Sequence, residues 1–507
     1  MSRINTNVQS LIAQRVLSSN NNLLSRSLER LSTGYRINRG KDDPAGLIAS
    51  ENLRADIKSI NQAISNAERA DQVVNIAEGG LQEISNLLTE LQGLLTAAGN
   101  SAGLSDSEKA ANQLQVDSIL QTIDRIAGAT NFQGTKLLNG NYNYSTSSVN
   151  SGVTDFKIHG AKFTGGSYDV DVVVTASAQQ GGLYLSTGAT ALDLGGSTSA
   201  FVIEISGSKG SRELTFASGT SLANIADAIN SFTDLTGVQA TASSTGIKIF
   251  SKEFGLAEFA SVKVVEDGGI GTASSIGIYG LSATNTAVAA SASHDDFDSS
   301  AAGNGVRDNG QDIGATVNGV SATSNGRSLR VNTDFLDVEV SLSTSASQTL
   351  GAVGSRAFAI TGGGADFQLA PEVNIGGKVS IGIDDVAVRK LGNTTIGFLD
   401  DLASGKSFNL VDGNNLGDAQ KVVDESIRQV SSLRGRLGAF QKNTVSATIR
   451  SLSITSENTQ AAESNIRDAD FAKETAELTR SQILVSSATN ILALANQSPQ
   501  SALQLLG

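Results

Sequence analysis

The chain has no cysteine and no tryptophan among its 507 residues, and only three prolines. Without cysteine, thiol redox chemistry, thiolate metal sites and cysteine nucleophiles are excluded. Few prolines suit long uninterrupted helices and continuous strands. The sequence also lacks an apolar run long enough to span a membrane, and its N-terminus lacks the apolar core of a secretory signal peptide. We therefore expect a soluble protein that is not exported by the general signal-peptide route, which leaves a different export machine open.

The charge is predominantly negative, with a formal net value of -13. Binding to nucleic acid through the surface is therefore not expected. Residues 1–54 are an exception, because they carry eight Lys/Arg against four Asp/Glu, a net of +4. A solvated helix face is the preferred interpretation of this basic end over a binding site.

Signatures of catalysis and metal binding are missing as well. The two histidines, His159 and His294, belong to no HExxH pair, which argues against a histidine-bound zinc site. Asp295, Asp296 and Asp298 beside His294 come nearest to a cation site, and a solvated loop is the preferred interpretation. Neither a P-loop nor a GxSxG elbow is present. The sequence predicts a protein that is not an enzyme and needs no cofactor or metal.

Long amphipathic helices are predicted at the N-terminal end, over residues 1–140. Gly34 is a stop for the first helix, and Pro44, capped by Asp42 or Asp43, begins the second. An interruption is expected at Gly79-Gly80. A third helix follows the turn at 99–107 and ends near Gly128. The apolar residues recur at steps of three and four, as in Ile4, Val8, Leu11, Ile12, Val16, Leu24, Leu28 and Leu31.

The C-terminal end, residues 415–507, mirrors this pattern. An apolar seam runs from Val423 to Ala447, in a helix that ends near Asn465. Asp470 is the predicted cap of a last helix, and Pro499 is its predicted stop. The final leucines are too apolar for a solvated tail, so we expect them to be buried. Burial between subunits is the preferred interpretation, and packing within one subunit is the alternative.

The middle of the chain is rich in Gly, Ser and Thr and predicts strands and turns. Residues 214–249 predict a strand, a helix with Leu222, Ile225, Ala226 and Ile229 on it, and two more strands. Residues 285–310 predict a long surface loop. The other predicted strands lie at 169–174, 201–205, 247–250, 337–342 and within 358–383.

The predicted fold is a mainly α coiled-coil or helical-bundle rod formed by both termini, with a β-rich (α+β) region inserted between them. A heptad stripe is most often the core of a bundle, and we expect this for residues 45–130 and 415–462. The rod-core candidates are Ile57, Ile60, Ile64, Leu88, Leu91, Leu95, Ile427, Val430, Leu437 and Phe440.

The outermost segments, residues 1–33 and 471–507, make only a two-helix pair. Such a pair leaves apolar area in water, so it should pack against copies of itself. Repeating that contact with a rotation generates a helical filament. The candidates for inter-subunit or inner-core packing are Ile4, Val8, Leu11, Leu28, Leu31, Phe471, Leu478, Leu484, Val485, Leu492, Leu503, Leu505 and Leu506.

Several short stretches resemble those of one known family. They are Ile4-Asn5-Thr6-Asn7, residues 28–38 (LERLSTGYRIN), residues 42–46 (DDPAG), Asn131-Phe132-Gln133-Gly134, residues 468–471 (DADF) and residues 495–500 (ANQSPQ) before the last leucines. Together they cover about the first 140 and last 95 residues, and the chain is similar to bacterial flagellin. Residues 200–250 are similar to a small inserted repeat found in many members.

The resemblance implies a division of labour along the chain. Residues 1–45 would form the N-terminal inner coiled-coil helix and spoke, and residues 465–507 the C-terminal inner helix. Residues 46–170 and 356–464 would form the rod, and residues 171–355 a variable, surface-exposed insert. The function implied is a structural subunit of the flagellar filament, the propeller for motility. A hook–filament junction protein is the alternative, and an adhesin or enzyme displayed by the insert is a third class.

The implied partners are copies of the chain itself, the flagellar export apparatus, an export chaperone, and the cap and junction proteins. Neither nucleic acid nor membrane is among them, and the location is extracellular. Some family members are detected by an innate immune receptor through a patch that carries arginine. Here that patch reads Glu90, Gln92, Gly93 and Leu94, which reverses the charge. We therefore expect weak or absent receptor activation.

Overall fold

The computed structural model describes residues 6–100, 103–163, 165–194, 199–270, 276–282, 294–411 and 415–504, the last seven by backbone alone. The chain divides into two compact units. Unit 1 comprises Met1–Glu78, Phe367–Lys378 and Arg434–Gly507, and unit 2 comprises Gly79–Asp366 and Val379–Leu433. Each unit therefore combines segments that are far apart in the sequence.

Three helices begin the chain: α1 (Val8–Thr33), α2 (Pro44–Ala98) and α3 (Asp106–Ala129). The predicted boundary signals are confirmed. Gly34 ends α1 with a left-handed φ of 75°. Asp43 caps α2, because its Oδ1 accepts a hydrogen bond from the Gly46 N–H at 2.9 Å, and Pro44 lies in the first turn.

The predicted interruption at Gly79-Gly80 is wrong, because α2 continues through both glycines. A glycine inside a helix costs stability, so its position needs a reason. At Gly80 the reason is close packing in unit 2. A Cβ there would lie 2.7 Å from the Thr130 Oγ1 and 2.8 Å from a methyl carbon of Leu138. The glycine lets the segment after α3 approach the helix.

The middle of the chain consists mostly of short strands. The first part contains β1 (Asn131–Phe132), β2 (Thr135–Lys136), β3 (Ser145–Ser147), β4 (Val153–Ala161), β5 (Tyr168–Val170), β6 (Val172–Ala176), β7 (Gly182–Ser186), β8 (Ala200–Gly207), β9 (Ser211–Ala217), α4 (Leu222–Asn230), α5 (Thr233–Thr236), β10 (Val238–Ser243), β11 (Gly246–Ser251), β12 (Phe259–Glu266) and β13 (Gly277–Gly280).

The second part contains α6 (Ser300–Asn304), β14 (Val306–Asn309), β15 (Gly314–Val317), β16 (Val320–Ser321), β17 (Thr323–Asn325), β18 (Ser328–Asn332), β19 (Leu336–Leu342), α7 (Thr344–Gln348), β20 (Gly351–Ala352), β21 (Phe358–Gly362), β22 (Ala365–Gln368), β23 (Lys378–Ile381), β24 (Gly392–Asn393) and β25 (Gly397–Phe398). Single turns of 3-10 helix occupy Ile375–Gly377 and Leu399–Leu402.

Four four-stranded sheets carry most of these strands, and their strands pair antiparallel. The strand orders are β10-β11-β7-β13, β14-β12-β8-β9, β16-β15-β6-β20 and β17-β18-β19-β4. The first two sheets and α4 enclose one apolar core between Leu183 and Ala302. The other two enclose a second core, drawn from residues 144–178 and 313–360. Both cores lie in unit 2.

The predicted strand–helix–strand–strand order at 214–249 is confirmed by β9, α4, β10 and β11. The surface loop predicted at 285–310 is wrong for its described part. Residues 283–293 lie outside the described residues, but α6 and β14 come after them, and Phe297 and Ala302 are buried in the first core. The Ala/Ser/Gly composition misled the prediction, because small residues also suit a tightly packed helical turn.

The C-terminal helices are α8 (Leu416–Ala439), α9 (Ser446–Arg467) and α10 (Phe471–Gln504), and a six-residue π-helical segment, Phe440–Val445, joins α8 to α9. Phe440 and Val445 are both buried at a five-residue step, which matches the wider π turn. Asp470 caps α10 as predicted, accepting from the Ala472 N–H at 2.9 Å. The predicted stop at Pro499 is wrong, since the helix continues past it.

Candidate assembly surface

In unit 1, α1 and α10 pair side by side in antiparallel orientation. The Asn7 amide donates to the Ala495 carbonyl at 2.7 Å, and the Arg30 guanidinium lies 3.0 Å from the Glu474 carboxylate. Between these contacts, the Asn20 amide donates to the carbonyl of Leu484 at 3.3 Å. Residue numbers thus fall along α10 as they rise along α1, and the two ends of the chain form one coiled pair.

The seam between these two helices is built largely from small and polar side chains. Its positions recur at alternating steps of three and four, as a coiled coil requires. On each helix a column of large apolar residues alternates with a column of small or polar ones. The buried and half-buried seam residues are Ser10, Ala13, Leu17, Asn20, Leu24, Ser27 and Leu31 of α1, and Glu474, Leu478, Ser481, Val485, Ala488, Leu492 and Ala495 of α10.

Further large apolar side chains of the pair lie outside this seam. Leu11 is 57% exposed and Leu494 is 69% exposed, and others repeat along both helices. Single exposed apolar residues are ordinary, but a series along paired helices marks an interaction surface. We call these residues the outer apolar face: Val8, Leu11, Ile12, Val16, Leu23 and Leu28 of α1, and Phe471, Ile483, Leu484, Ile491 and Leu494 of α10.

The connections that flank α1 and α10 are tied together by backbone hydrogen bonds. The Ala469 N–H donates to the Gly34 carbonyl at 2.9 Å, and the Arg36 N–H donates to the Arg467 carbonyl at 2.7 Å. The Arg467 guanidinium lies 4.7 Å from the centre of the Tyr35 ring, where cation–π attraction applies. These contacts fix the start of the returning helix to the end of the first.

The predicted packing residues fall into three groups. Val8, Leu11, Leu28, Phe471 and Leu484 belong to the outer apolar face, while Leu31, Leu478, Val485 and Leu492 are half-buried in the seam. Ile4, Leu505 and Leu506 lie outside the described residues, and Leu503 is described only as backbone in α10. Contact between any of these residues and another copy stays a prediction.

The sequence pattern revealed only the apolar half of the seam. An apolar stripe counts large apolar residues only, so it left out Ala13, Asn20 and Ser27. These three residues nevertheless recur at steps of seven, as do Glu474, Ser481 and Ala488. Small or polar residues at heptad spacing are the signal that could have identified them.

The predicted rod-core residues are distributed over both units. Most of them are buried: Ile60, Leu88, Leu91, Leu95, Val430, Leu437 and Phe440. Ile57, Ile64 and Ile427 are half-buried.

The segment predicted to be an altered receptor patch lies on α2 within unit 2. Glu90 and Gly93 are exposed, and Leu94 is half-buried. The Gln92 amide donates to the Asp424 carboxylate of α8 at 2.8 Å. The patch therefore presents a carboxylate and an amide on its surface.

Two features of the ionisable groups concern metal binding and proton affinity. Among the described residues, no group of three or more His, Asp or Glu side chains is arranged to hold a metal ion. Burial raises the pKa of Asp384 to about 6, and the Lys157 charge opposes this shift. Within the same described residues, no helix is long and apolar enough to cross a membrane.

Paired terminal helices with exposed apolar residues and a β-rich insert are typical of a structural protein. Comparison with known families gives the same answer. A model of the bacterial flagellin N-terminal helical region matches residues 4–143, and one of the C-terminal helical region matches residues 420–506. The flagellin hook IN motif matches residues 200–253, which confirms the inserted repeat expected there.

The B-type flagellin of Pseudomonas aeruginosa is 30% identical over 558 residues, with 99% of each chain covered. The flagellin of Salmonella rubislaw is 30% identical over 537 residues, also with 99% of each chain covered. Among solved structures, hook associated protein-3 from Legionella pneumophila has a TM-score of 0.29 and 11% identity, covering 82% of this chain and 98% of its own. The chain belongs to the bacterial flagellin family. It is a structural subunit that polymerises into the helical flagellar filament, and the junction-protein alternative is not favoured.

Proposed function

We propose that polymerisation is driven by the outer apolar face of α1 and α10, which docks against the same helices of neighbouring copies inside the filament. One observation carries this proposal: besides the large apolar residues in its seam, the pair leaves a further series of them exposed, among them Leu11, Ile491 and Leu494. Burying such a side chain is worth about 1.5–3 kcal/mol. Several of them on each subunit would offset the entropy lost on association.

A charge on this face tests the proposal. Leu484→Asp should leave a soluble, folded monomer that fails to polymerise, because a carboxylate would be buried without a partner. Leu256→Asp is the matched control, since Leu256 is 69% exposed but lies between β11 and β12 in the insert. Sedimentation and electron microscopy after concentration measure the polymer. Normal filaments from Leu484→Asp would contradict the docking.

The proposal assigns roles to segments of the chain. Residues 1–45 and 465–507 line the inside of the filament, residues 46–170 and 356–464 form its wall, and residues 171–355 project outward. The first core of unit 2 supports the idea of a separable insert. At its base, Gln179 and Gln311 exchange two backbone hydrogen bonds of 2.9 Å, so the chain enters and leaves at one place.

Excising residues 182–309 with a short glycine bridge tests this assignment. The remaining chain should still polymerise, because the cut ends are adjacent and the buried residues of the second core all lie outside the cut, which removes only Phe254 from the edge of that core. This cut is preferred to 171–355, because β19 lies inside that range and pairs with β4 outside it. Loss of filaments, with the melting transition of the remaining protein retained, would show that the insert itself is needed for assembly.

Export and partners follow from family membership. The subunit leaves the cell through the flagellar export apparatus with an export chaperone, and it assembles beneath a cap on a base of junction proteins. An outer apolar face that a lone chain leaves uncovered supports keeping subunits apart until assembly. In cells with flagellar export blocked, the protein should remain inside. Unchanged extracellular protein in such cells would rule this route out.

Recognition by the innate immune receptor should be weak. Glu90 is exposed on α2 where recognised relatives carry arginine, and a carboxylate lacks the donors of a guanidinium. Purified monomer should give little signal in a receptor reporter cell, and Glu90→Arg should raise it. Full-strength signalling by the unaltered protein would contradict this expectation.

A further inference from the structure

Pro499 lies within α10, which extends to Gln504. Proline has no backbone N–H, so it cannot donate to the carbonyl four residues earlier. That carbonyl belongs to Ala495. Because Pro499 is the only proline in α10, this is the one carbonyl before the last turn of the helix that loses its donor to a proline.

Asn7 fills this vacancy from the other end of the chain. Its Nδ2 donates to the Ala495 carbonyl at 2.7 Å. The same side chain caps α1, because its Oδ1 accepts from the Ser10 N–H at 3.1 Å. Beside it, the Ser10 hydroxyl donates to the Asn496 side-chain oxygen at 2.7 Å. One amide thus joins the first turn of α1 to a defect in α10.

We propose that Asn7 is a positioning residue for assembly, which fixes the register of α1 against α10 by occupying the backbone carbonyl that Pro499 leaves free. The contact selects one register because no other carbonyl before the last turn of α10 loses its donor to a proline. The Asn20 contact is less selective. The Leu484 carbonyl that it reaches has an N–H donor of its own four residues later, at Ala488, as do carbonyls elsewhere in the helix.

Asparagine suits this position because both halves of its amide are used. Serine and aspartate also cap helices well, but serine is too short to reach across the pair and aspartate has no donor. A slip of α1 by one heptad would keep large residues facing small ones in the seam. It would leave both the Asn7 amide and the Ala495 carbonyl without their partner, which makes slipped pairs less stable.

Register matters because the outer apolar face is composed of two helices. Sliding α1 along α10 would move exposed residues of α1, such as Leu11 and Val16, relative to those of α10, and neighbouring copies would meet a changed surface. This consequence rests on the proposed function, whereas the contact between Asn7 and Ala495 does not.

A double-mutant cycle tests the proposal with full-length protein. Asn7→Ser keeps the cap and removes the cross-helix donor, whereas Pro499→Ala restores an N–H that satisfies Ala495 within α10. Asn7→Ser alone should raise the critical concentration for polymerisation about five- to tenfold, the effect of one lost hydrogen bond. In the Pro499→Ala background the same change should cost less than about twofold, and Pro499→Ala alone should polymerise within about threefold of wild type.

Hydrogen exchange in assembled filaments provides a second measurement. Asn7→Ser should speed exchange of the amides in the first turns of α1, and adding Pro499→Ala should restore their protection. Equal effects of Asn7→Ser in both backgrounds would overturn the proposal, as would failure of Pro499→Ala to polymerise or to rescue. If the effects of Asn7→Ser and Pro499→Ala are additive while Leu484→Asp still blocks assembly, the positioning role of Asn7 is wrong and the docking proposal stands. If the two effects are coupled but Leu484→Asp still forms filaments, only the docking proposal is wrong.

Discussion

The two cores of unit 2 and the α1–α10 pair of unit 1 use apolar residues in opposite ways. In unit 2 the large side chains point inward, and Phe201, Phe358 and Leu183 are almost wholly buried. In the pair, the seam combines Ser10, Asn20 and other small or polar residues with half-buried leucines, and a further series of large apolar side chains is exposed. The difference teaches that unit 2 finishes its own core, whereas the terminal pair of a single chain leaves large apolar residues in water.

The largest effect in this comparison should come from removing a large buried side chain from a core of unit 2. Phe358 is fully buried and stacks on Phe156, with ring centres 4.8 Å apart. Phe358→Ala should lower the free energy of unfolding of unit 2 by about 3–5 kcal/mol. Calorimetry of the monomer measures this. Leu256→Ala, at an exposed site, is the control and should change it by less than about 0.5 kcal/mol.

The outer apolar face should behave in the reverse way. Ile491 is 59% exposed on α10. Ile491→Ser should leave the melting temperature of the monomer nearly unchanged and weaken polymerisation by about 1.5–3 kcal/mol, the value of one buried apolar side chain. Critical concentration and monomer calorimetry, measured on the same samples, separate the two effects. A lower melting temperature of the monomer with an unchanged critical concentration would mean that Ile491 stabilises the monomer and not the polymer.

The smallest effect should come from a titrating group in unit 2. Asp384 is half-buried, and its pKa is raised to about 6 chiefly by burial. Because the folded state holds the proton more tightly, Asp384 favours folding at low pH, and this contribution is lost as the pH rises through 6. Asp384→Asn should therefore stabilise unit 2 at pH 7–8 by about 1 kcal/mol, after allowance for solvent screening.

The pH dependence supplies the control for that change. The stabilisation by Asp384→Asn should shrink as the pH is lowered from 6 to 4, where the wild-type carboxyl is protonated. Leu256→Ala, at an exposed position without an ionisable group, should show no such trend. Equal stabilisation at pH 4 and pH 8 would mean that charge is not the cause. Chemical denaturation at a series of pH values makes the measurement.

The sequence predicted the long helices and their ends well, because caps and stops are local. Gly34, Asp43 and Asp470 each act where their chemistry indicates. It failed where a distant segment compensates a local signal. The helix continues through Gly80, where Thr130 packs closely against it. The residues near position 80 give no indication of that contact.

The candidate surface was predictable in outline but not in its orientation. Leu11 and Leu484 were candidate packing residues from the sequence, and their packing stays a prediction. Apolar spacing could not tell which face α1 offers to α10. That choice depends on buried small residues such as Ala13 and Ser481, which a pattern of large apolar residues does not include. The Asn7–Ala495 contact could not be predicted from the sequence either, because its two residues lie at opposite ends of the chain.

The π-helical segment at Phe440–Val445 makes the chain unequally tolerant of small genetic changes. A π turn accommodates one more residue than an α turn. Deleting one residue inside the segment would therefore convert it to ordinary α-helix and leave α9 facing as before. The same deletion in the middle of α9, a helix of 22 residues, would turn the rest of that helix by about 100°. Loss of a single codon should thus be tolerated at the π turn and damaging a few turns later in the gene.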